Sequence, residues 1–220
     1  GVVWSYDDKS FFYRKHDSQK RPRQILQHKL GSPIKEDILI FEEQDERFTC
    51  SIDTTSCEKF YMIETSEHTT SETYYFHKDE KKFEPKLFLK REDGILYSMD
   101  SFDGYWYMHT NKNAEDFKIL KCSNDKINDW KDFVPAKSGT LIGGLTFLKK
   151  WIIRSEISNA LSKILVRSVE TGNEEELIFT DEKVISPGVS LIRKDKNTDL
   201  IRVGYESPKT PNRIFEYNIQ

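Results

Sequence analysis

The sequence predicts an all-β chain folded as a partial β-propeller, with about five four-stranded antiparallel blades of which the last is incomplete. Three observations predict it. An aromatic or apolar cluster returns every 45 to 49 residues, at Phe11-Phe12-Tyr13, Phe60-Tyr61-Met62, Tyr105-Trp106-Tyr107, Trp151-Ile152-Ile153 and Leu200-Ile201. A second cluster follows each at 13 or 14 residues, at Ile25-Leu26, Tyr74-Tyr75, Ile119-Leu120, Ile164-Leu165 and Ile214-Phe215. Aromatics make up 13% of the chain and favour strands, while a charged fraction of 32% keeps the connecting loops wet. A repeat of this length built from short β-type runs lies between the WD40 and kelch periods, so each repeat reads as one blade.

The paired clusters are the second and third strands of each blade, b and c. The innermost strand, a, precedes them at Val2-Val3-Trp4, Phe48-Thr49-Cys50-Ser51-Ile52, Leu96-Tyr97-Ser98-Met99, Leu141-Ile142-Gly143-Gly144-Leu145 and Val189-Ser190-Leu191-Ile192. The outer strand, d, follows at Ile38-Leu39-Ile40-Phe41, Leu87-Phe88-Leu89, Asp132-Phe133-Val134 and Leu177-Ile178-Phe179. Blades are thereby expected near residues 1–44, 45–92, 93–137, 138–182 and 183–220, all within one domain. The fifth has no d strand, so the natural unit is expected to continue or to borrow that strand.

Charge and cysteine usage narrow the function classes. The formal net charge is only -3, and basic residues are interleaved with acidic ones, as in Glu80-Lys81-Lys82-Phe83-Glu84. No basic field advertises nucleic acid. Apolar runs fall far short of the roughly 20 residues that span a bilayer, and the start, Gly1-Val2-Val3-Trp4, is unlike a secretory signal. The chain is expected to begin mid-protein, without membrane contact. Cys50, Cys57 and Cys122 are odd in number, without CxxC spacing or a histidine cluster. Neither metal nor cofactor is expected, and a reducing, cytoplasmic compartment fits best. Cys50 reads as a small core residue, and Cys57 as an exposed turn residue.

Catalytic motifs are missing from the sequence. An α/β-hydrolase nucleophile needs G-x-S-x-G on a sharp turn, and the nearest stretch, Pro187-Gly188-Val189-Ser190, lacks the second glycine. There is no P-loop, GxGxxG or HExxH. His16, His28, His68, His77 and His109 are scattered; His28 and His77, 49 residues apart, read as one repeated position near the end of strand c. Trp4, Trp106, Trp130 and Trp151 fall mostly at strand anchors and read as packing between blades. Gly143-Gly144 reads as a place where strands crowd together.

Several stretches together carry a family resemblance. Arg21-Pro-Arg-Gln-Ile-Leu-Gln-His-Lys-Leu-Gly31, Glu42-Glu-Gln-Asp-Glu-Arg-Phe48, His68-Thr-Thr-Ser-Glu72, Thr110-Asn-Lys-Asn-Ala-Glu-Asp-Phe117 and Ser207-Pro-Lys-Thr-Pro-Asn-Arg-Ile-Phe-Glu-Tyr217 occur in order over nearly all 220 residues. They resemble the later part of the propeller in the oligopeptidase B (protease II) group of the prolyl oligopeptidase family of serine peptidases. The resemblance implies a seven-bladed propeller over an α/β-hydrolase domain that cleaves short peptides after Lys or Arg. Earlier blades, the last strand and the whole hydrolase domain are expected to lie outside this chain. No catalytic residue is assigned, and the chain alone is expected to be inactive.

In such an enzyme a propeller acts by exclusion, admitting short peptides and closing the site to water. Loops d-to-a and b-to-c share one face of a four-stranded blade. On that face, Arg21, Arg23, Glu43, Asp45, Arg47, His68, Arg91 and Asp93 are candidates for interdomain or gating contacts. The competing reading is ordinary solvated loop charge. The expected partners are the hydrolase domain, in the same or a split chain, and short peptides. Uncovered blade faces are expected to drive self-association. A different class also stays open: a free-standing propeller binding a protein or peptide, or a remnant of a split peptidase gene.

Overall fold

Alternating apolar runs interrupted by turn residues yield strands with almost no helix. In this computed structural model, residues 1–178, 188–191, 196–207 and 209–220 are described. Their strands are β1 (Val2–Trp4), β2 (Ser10–His16), β3 (Pro22–Lys29), β4 (Ile38–Glu42), β5 (Thr49–Thr54), β6 (Phe60–Ser66), β7 (Ser71–His77), β8 (Lys86–Leu89), β9 (Tyr97–Phe102) and β10 (Tyr105–Thr110). Then follow β11 (Lys118–Ser123), β12 (Lys131–Val134), β13 (Thr140–Phe147), β14 (Trp151–Ser158), β15 (Leu161–Ser168), β16 (Glu174–Glu176), β17 (Gly188–Leu191), β18 (Leu200–Tyr205) and β19 (Arg213–Asn218). The one helical turn described is a 3-10 turn at Ile34–Glu36, so among the described residues no helix is long and apolar enough to cross a membrane.

Each sheet is made of consecutive strands in order: β1–β4, β5–β8, β9–β12, β13–β16 and the three-stranded β17–β19. This is the partial propeller, all β. Tight turns make the pairing local. Asp103 and Gly104, both at positive φ, join β9 to β10, and Asn159 and Ala160 do the same between β14 and β15. That geometry matches the right-handed twist of the paired strands.

The chain divides into two compact units, residues 1–112 with 120–131, and residues 113–119 with 132–220. The first is held by aromatic layers between sheets. Phe12 and Ile25 of the first sheet meet Cys50, Ile52, Tyr61, Ile63 and Phe76 of the second. Met62, Phe60, Tyr75 and Phe88, on the opposite face of the second sheet, surround Trp106. Phe12 meets Tyr61 at 4.8 Å in an edge-on arrangement, and Phe60 lies 4.8 Å from Trp106. Such pairs contribute about 0.5–1.5 kcal/mol each beyond the area they bury. In the second unit, Ile153, Ile164, Val166 and Leu177 pack on Ile201 and Val203.

The structure corrects several expectations. The fourth outer strand is Glu174–Glu176 rather than Leu177-Ile178-Phe179. Leu177 is buried just beyond it, its N–H on the Ile164 carbonyl, and Phe179 lies outside the described residues. The fifth inner strand is described over Gly188–Leu191, and Ile192 lies outside the described residues. Gly143 and Gly144 sit in a β-bulge between Ile142 and Leu145. Only Gly143 answers to close approach, since a Cβ there would lie 2.3 Å from Ser155 Oγ, whereas Gly144 faces open space. Trp4 lies on the face of the first sheet turned away from the second, where it meets Phe11 edge-on. Cys57 is half-buried, its N–H held by the Ser101 carbonyl.

His28 and His77 do end their c strands, but on opposite faces. His28 pairs across from Phe11, on the face of the first sheet turned away from the second. His77 pairs across from Phe60, on the face turned toward Trp106. The cause is a slip of one residue. The first two a-to-b turns match with Ser5 on Thr55 and Asp8 on Glu58, an offset of 50, whereas the aromatic anchors recur at 49. Shifting a strand by one residue exchanges its faces.

Candidate functional site

The first unit concentrates charge where the β4–β5, β8–β9, β2–β3 and β6–β7 connections lie together, the d-to-a and b-to-c loops. Arg91, just after β8, is the hub. Its Nη2 donates to Glu43 Oε2 at 2.7 Å and to Glu72 Oε1 at 2.9 Å, while its main-chain N–H donates to Glu72 Oε2 at 2.8 Å. A longer bond reaches Thr65 Oγ1 at 3.3 Å. The guanidinium stands 3.9 Å over the Phe48 ring, a geometry that adds cation–π attraction. Tyr74 donates its hydroxyl to Glu72 at 2.7 Å.

Burial explains why these groups are paired. Glu43 and Glu72 are both buried, and a buried carboxylate without a partner is costly. Burial pushes the Glu72 carboxyl up, but the bonds from Arg91 and Tyr74 outweigh it and hold the group below the ordinary carboxylate range. The bonds to Glu72 and Glu43 keep Arg91 charged against its own burial. Burial, then the bond to Glu72, pushes the Tyr74 hydroxyl up to about 12.

The remaining candidates divide into supports and exposed groups. Arg23 donates Nε and Nη2 to the Glu43 carbonyl at 3.0 and 2.5 Å, fixing the loop that carries the carboxylate. Asp45 donates its N–H to Glu43 Oε1, and its own carboxylate accepts from Arg47 Nη2 at 2.7 Å, which lowers it to about 2. Arg21 bonds the Glu46 carbonyl at 2.6 Å and pairs with Asp17. His68 and Asp93 stand exposed, outside the Arg91 cluster. Sequence reasoning missed Glu72, Thr65, Tyr74 and Phe48. The available signal was Glu72 itself, a charge just before the aromatic run Tyr74-Tyr75-Phe76 of a c strand, which must find a partner if its face is covered.

The second unit repeats the chemistry with different residues. Arg154 of β14 donates to Glu156 at 2.9 Å and to both oxygens of Glu174, the bond to Oε1 being 2.8 Å. Lys137 also reaches Glu156, at 2.8 Å. On Glu156 burial raises the carboxyl, and Lys137 and Arg154 outweigh it to hold the group low. Both clusters are structural ion networks on this geometry. Among the described residues no three His, Cys, Asp or Glu side chains are grouped to hold a metal ion.

Comparison with known proteins bears on what these faces serve. The family model for the prolyl oligopeptidase N-terminal β-propeller domain matches residues 1–220. The chain is similar to protease 2 of Moraxella lacunata, 29% identical over 219 residues, and to dipeptidyl aminopeptidase BI of Pseudoxanthomonas mexicana, 28% identical over 224 residues. These alignments cover 100% and 99% of this chain but 31% and 30% of those proteins, so the chain spans about a third of their length. Among solved structures it superposes on oligopeptidase B from Trypanosoma brucei, in a closed form with covalently bound antipain, with a TM-score of 0.89 and 22% identity. Oligopeptidase B from Leishmania major gives 0.88 and 19%. Each covers the whole of this chain and 32% of the larger one, and at these identities the likeness is one of fold.

Proposed function

We propose that this chain, which belongs to the prolyl oligopeptidase N-terminal β-propeller domain family, is a non-catalytic propeller segment that restricts the access of peptides to a serine peptidase domain. The family match from residue 1 to residue 220 carries the reading. In it, the five sheets are blades of one domain, the partner is an α/β-hydrolase domain in the same or a split chain, and the admitted substrates are short peptides cleaved after Lys or Arg. A cytoplasmic setting accords with three free cysteines.

The loop face around Arg91 is the proposed interdomain face. Its geometry separates two tasks among the candidates. Arg91, Glu43 and Arg23 spend their polar groups on each other and on the loop backbone, so they hold the face in shape. His68 and Asp93 are exposed and are the groups available to a facing domain, while Arg47 is exposed but paired with Asp45. Charge-assisted contacts from exposed groups are weak singly and form or break readily, which suits a cleft that opens and closes.

The test mixes this chain with a separately produced hydrolase-domain chain and follows cleavage of an Arg-containing short peptide. The reading expects no turnover by this chain alone and a gain in turnover or in selectivity for short substrates on mixing. Unchanged kinetics, with no association between the two chains, would overturn it.

A further inference from the structure

A pocket of about 460 Å³ opens within the first unit, between the first sheet and the second. Each of these sheets has all four of its strands, so both walls are complete. One wall is the β1–β2 turn with β4, which bring Tyr6, Ile38 and Ile40; the other is the β7–β8 loop, which brings Lys78, Lys81 and Phe83. Ile38 is 58% exposed, so the pocket offers apolar surface that neither sheet covers. Both walls are pinned. The Tyr6 N–H donates to Tyr61 Oη at 2.8 Å, which ties the β1–β2 turn to the second sheet. The Lys78 N–H donates to the Lys59 carbonyl at 2.9 Å, and the Phe83 ring sits among Phe12, Tyr61 and Phe76, so the loop is anchored at both ends. A pocket held in shape before its ligand arrives loses little binding free energy to ordering.

The rim carries charge of both signs that the protein leaves unmatched. Two of the lining charges are already paired, Lys82 with Glu84 at 2.7 Å and Glu80 with Lys86 at 2.9 Å. Lys78 and Lys81 form no ion pair among the described residues, and Lys78 holds its Nζ 5.3 Å over the Tyr6 ring. Asp7 and Asp79 are exposed on the same pocket. Asp7 accepts the Lys9 main-chain N–H at 3.0 Å, and Asp79 lies 3.6 Å from His77 Nδ1, so neither is matched by a lysine.

We propose that this pocket binds a small apolar zwitterion, a dipeptide of apolar residues with both ends free. Its carboxylate meets Lys78 and Lys81, its ammonium meets Asp7 and Asp79, and its side chains lie on Ile38, Ile40 and Phe83. A ligand with one sign of charge satisfies half of the rim and is repelled by the other half, which sets the selectivity. The site lies wholly within the first unit and is independent of any facing domain.

Calorimetric titration of the 220-residue chain with the dipeptide Leu-Leu reads the affinity, and NMR shifts of the Tyr6, Lys78 and Lys81 amides locate it. The matched probes are N-acetyl-Leu-Leu, which lacks the ammonium, and Leu-Leu amide, which lacks the carboxylate. Each is expected to bind about tenfold more weakly, since two surface charge contacts are lost. A Lys78→Gln, Lys81→Gln chain is expected to bind Leu-Leu and its amide equally, while still preferring Leu-Leu to the acetylated form. An Asp7→Asn, Asp79→Asn chain is expected to do the reverse. Unfolding midpoints like that of the wild type show that the variants fold, so that their binding reports the site. Three results would each overturn the proposal: no heat and no shift at millimolar Leu-Leu, equal affinity of the wild type for all three probes, or variants that weaken all three probes alike.

Discussion

Arg91 and Glu72 are joined twice, once through the guanidinium at 2.9 Å and once through the main-chain N–H of Arg91 at 2.8 Å. The second bond fixes where the chain leaves β8, and the first places the guanidinium between two buried carboxylates. One residue thus ties the outer strand of the second sheet to the loop that leaves the first.

Arg91→Met is expected to cost about 3 kcal/mol, since it strands Glu43 and Glu72 without a counter-charge. Arg91→Lys is expected to recover only part of that, because an ammonium has one centre of charge and does not stack on Phe48. Urea unfolding midpoints of the two variants check both statements. Equal midpoints for the wild type and the Met variant would remove the hub role.

The folded chain should lose stability as pH falls below about 4.5. Glu72, Glu156 and Glu174 are all held below their ordinary value. A carboxyl depressed in the folded state contributes its full stabilisation above the unfolded value, and loses it as pH drops through the folded one. A thermal midpoint that falls steadily as pH drops below about 4.5, and is flat from about 6 to 7, is the expected profile. A midpoint that rises on acidification would contradict the assignment.

Gly143→Ala should be far more damaging than Gly144→Ala. The new methyl would lie 2.3 Å from Ser155 Oγ, which can rotate away, and 2.9 Å from the Ser155 carbonyl, which cannot. A cost of about 1–3 kcal/mol is expected at Gly143, partly retained when Ser155 is also Ala. Denaturant titration of the three variants reads the difference.

Trp4 and Val2 are 56% and 57% exposed, and Leu39, on the same face of the first sheet, is 50% exposed. That uncovered apolar surface should make the isolated chain associate as concentration rises. Trp4→Ser with Leu39→Lys should shift sedimentation toward monomer without lowering the unfolding midpoint. Unchanged sedimentation would place the contact elsewhere.

Much of the architecture was legible because hairpins are local. The 13- or 14-residue interval between paired anchors is set by two strands and one turn, and every b and c strand formed where that interval put it. What failed was parity. Phe12 and Tyr61 share a place in the sequence repeat, yet they face each other across the layer between sheets. A 50-residue offset in the turns against 49 in the anchors decides this, and hydropathy carries no mark of it. The fourth outer strand was missed because Glu174, Glu175 and Glu176 have no apolar signature; Arg154 and the β15 edge hold them extended. At the candidate site, Glu43 and Arg91 stood out as loop charges, whereas Glu72 and Thr65 enter from strands whose covered face becomes visible only once the sheets are stacked.

The most direct test of the central claim is to precipitate the native product from source cells with an antibody raised against this chain. The precipitate is then assayed on a short Arg-containing peptide and on a folded protein bearing the same site. The expected result is a peptidase, on a longer polypeptide or on a bound second chain, that cuts the short peptide and spares the folded protein. A product of 220 residues alone, without peptidase activity in the precipitate, would contradict it.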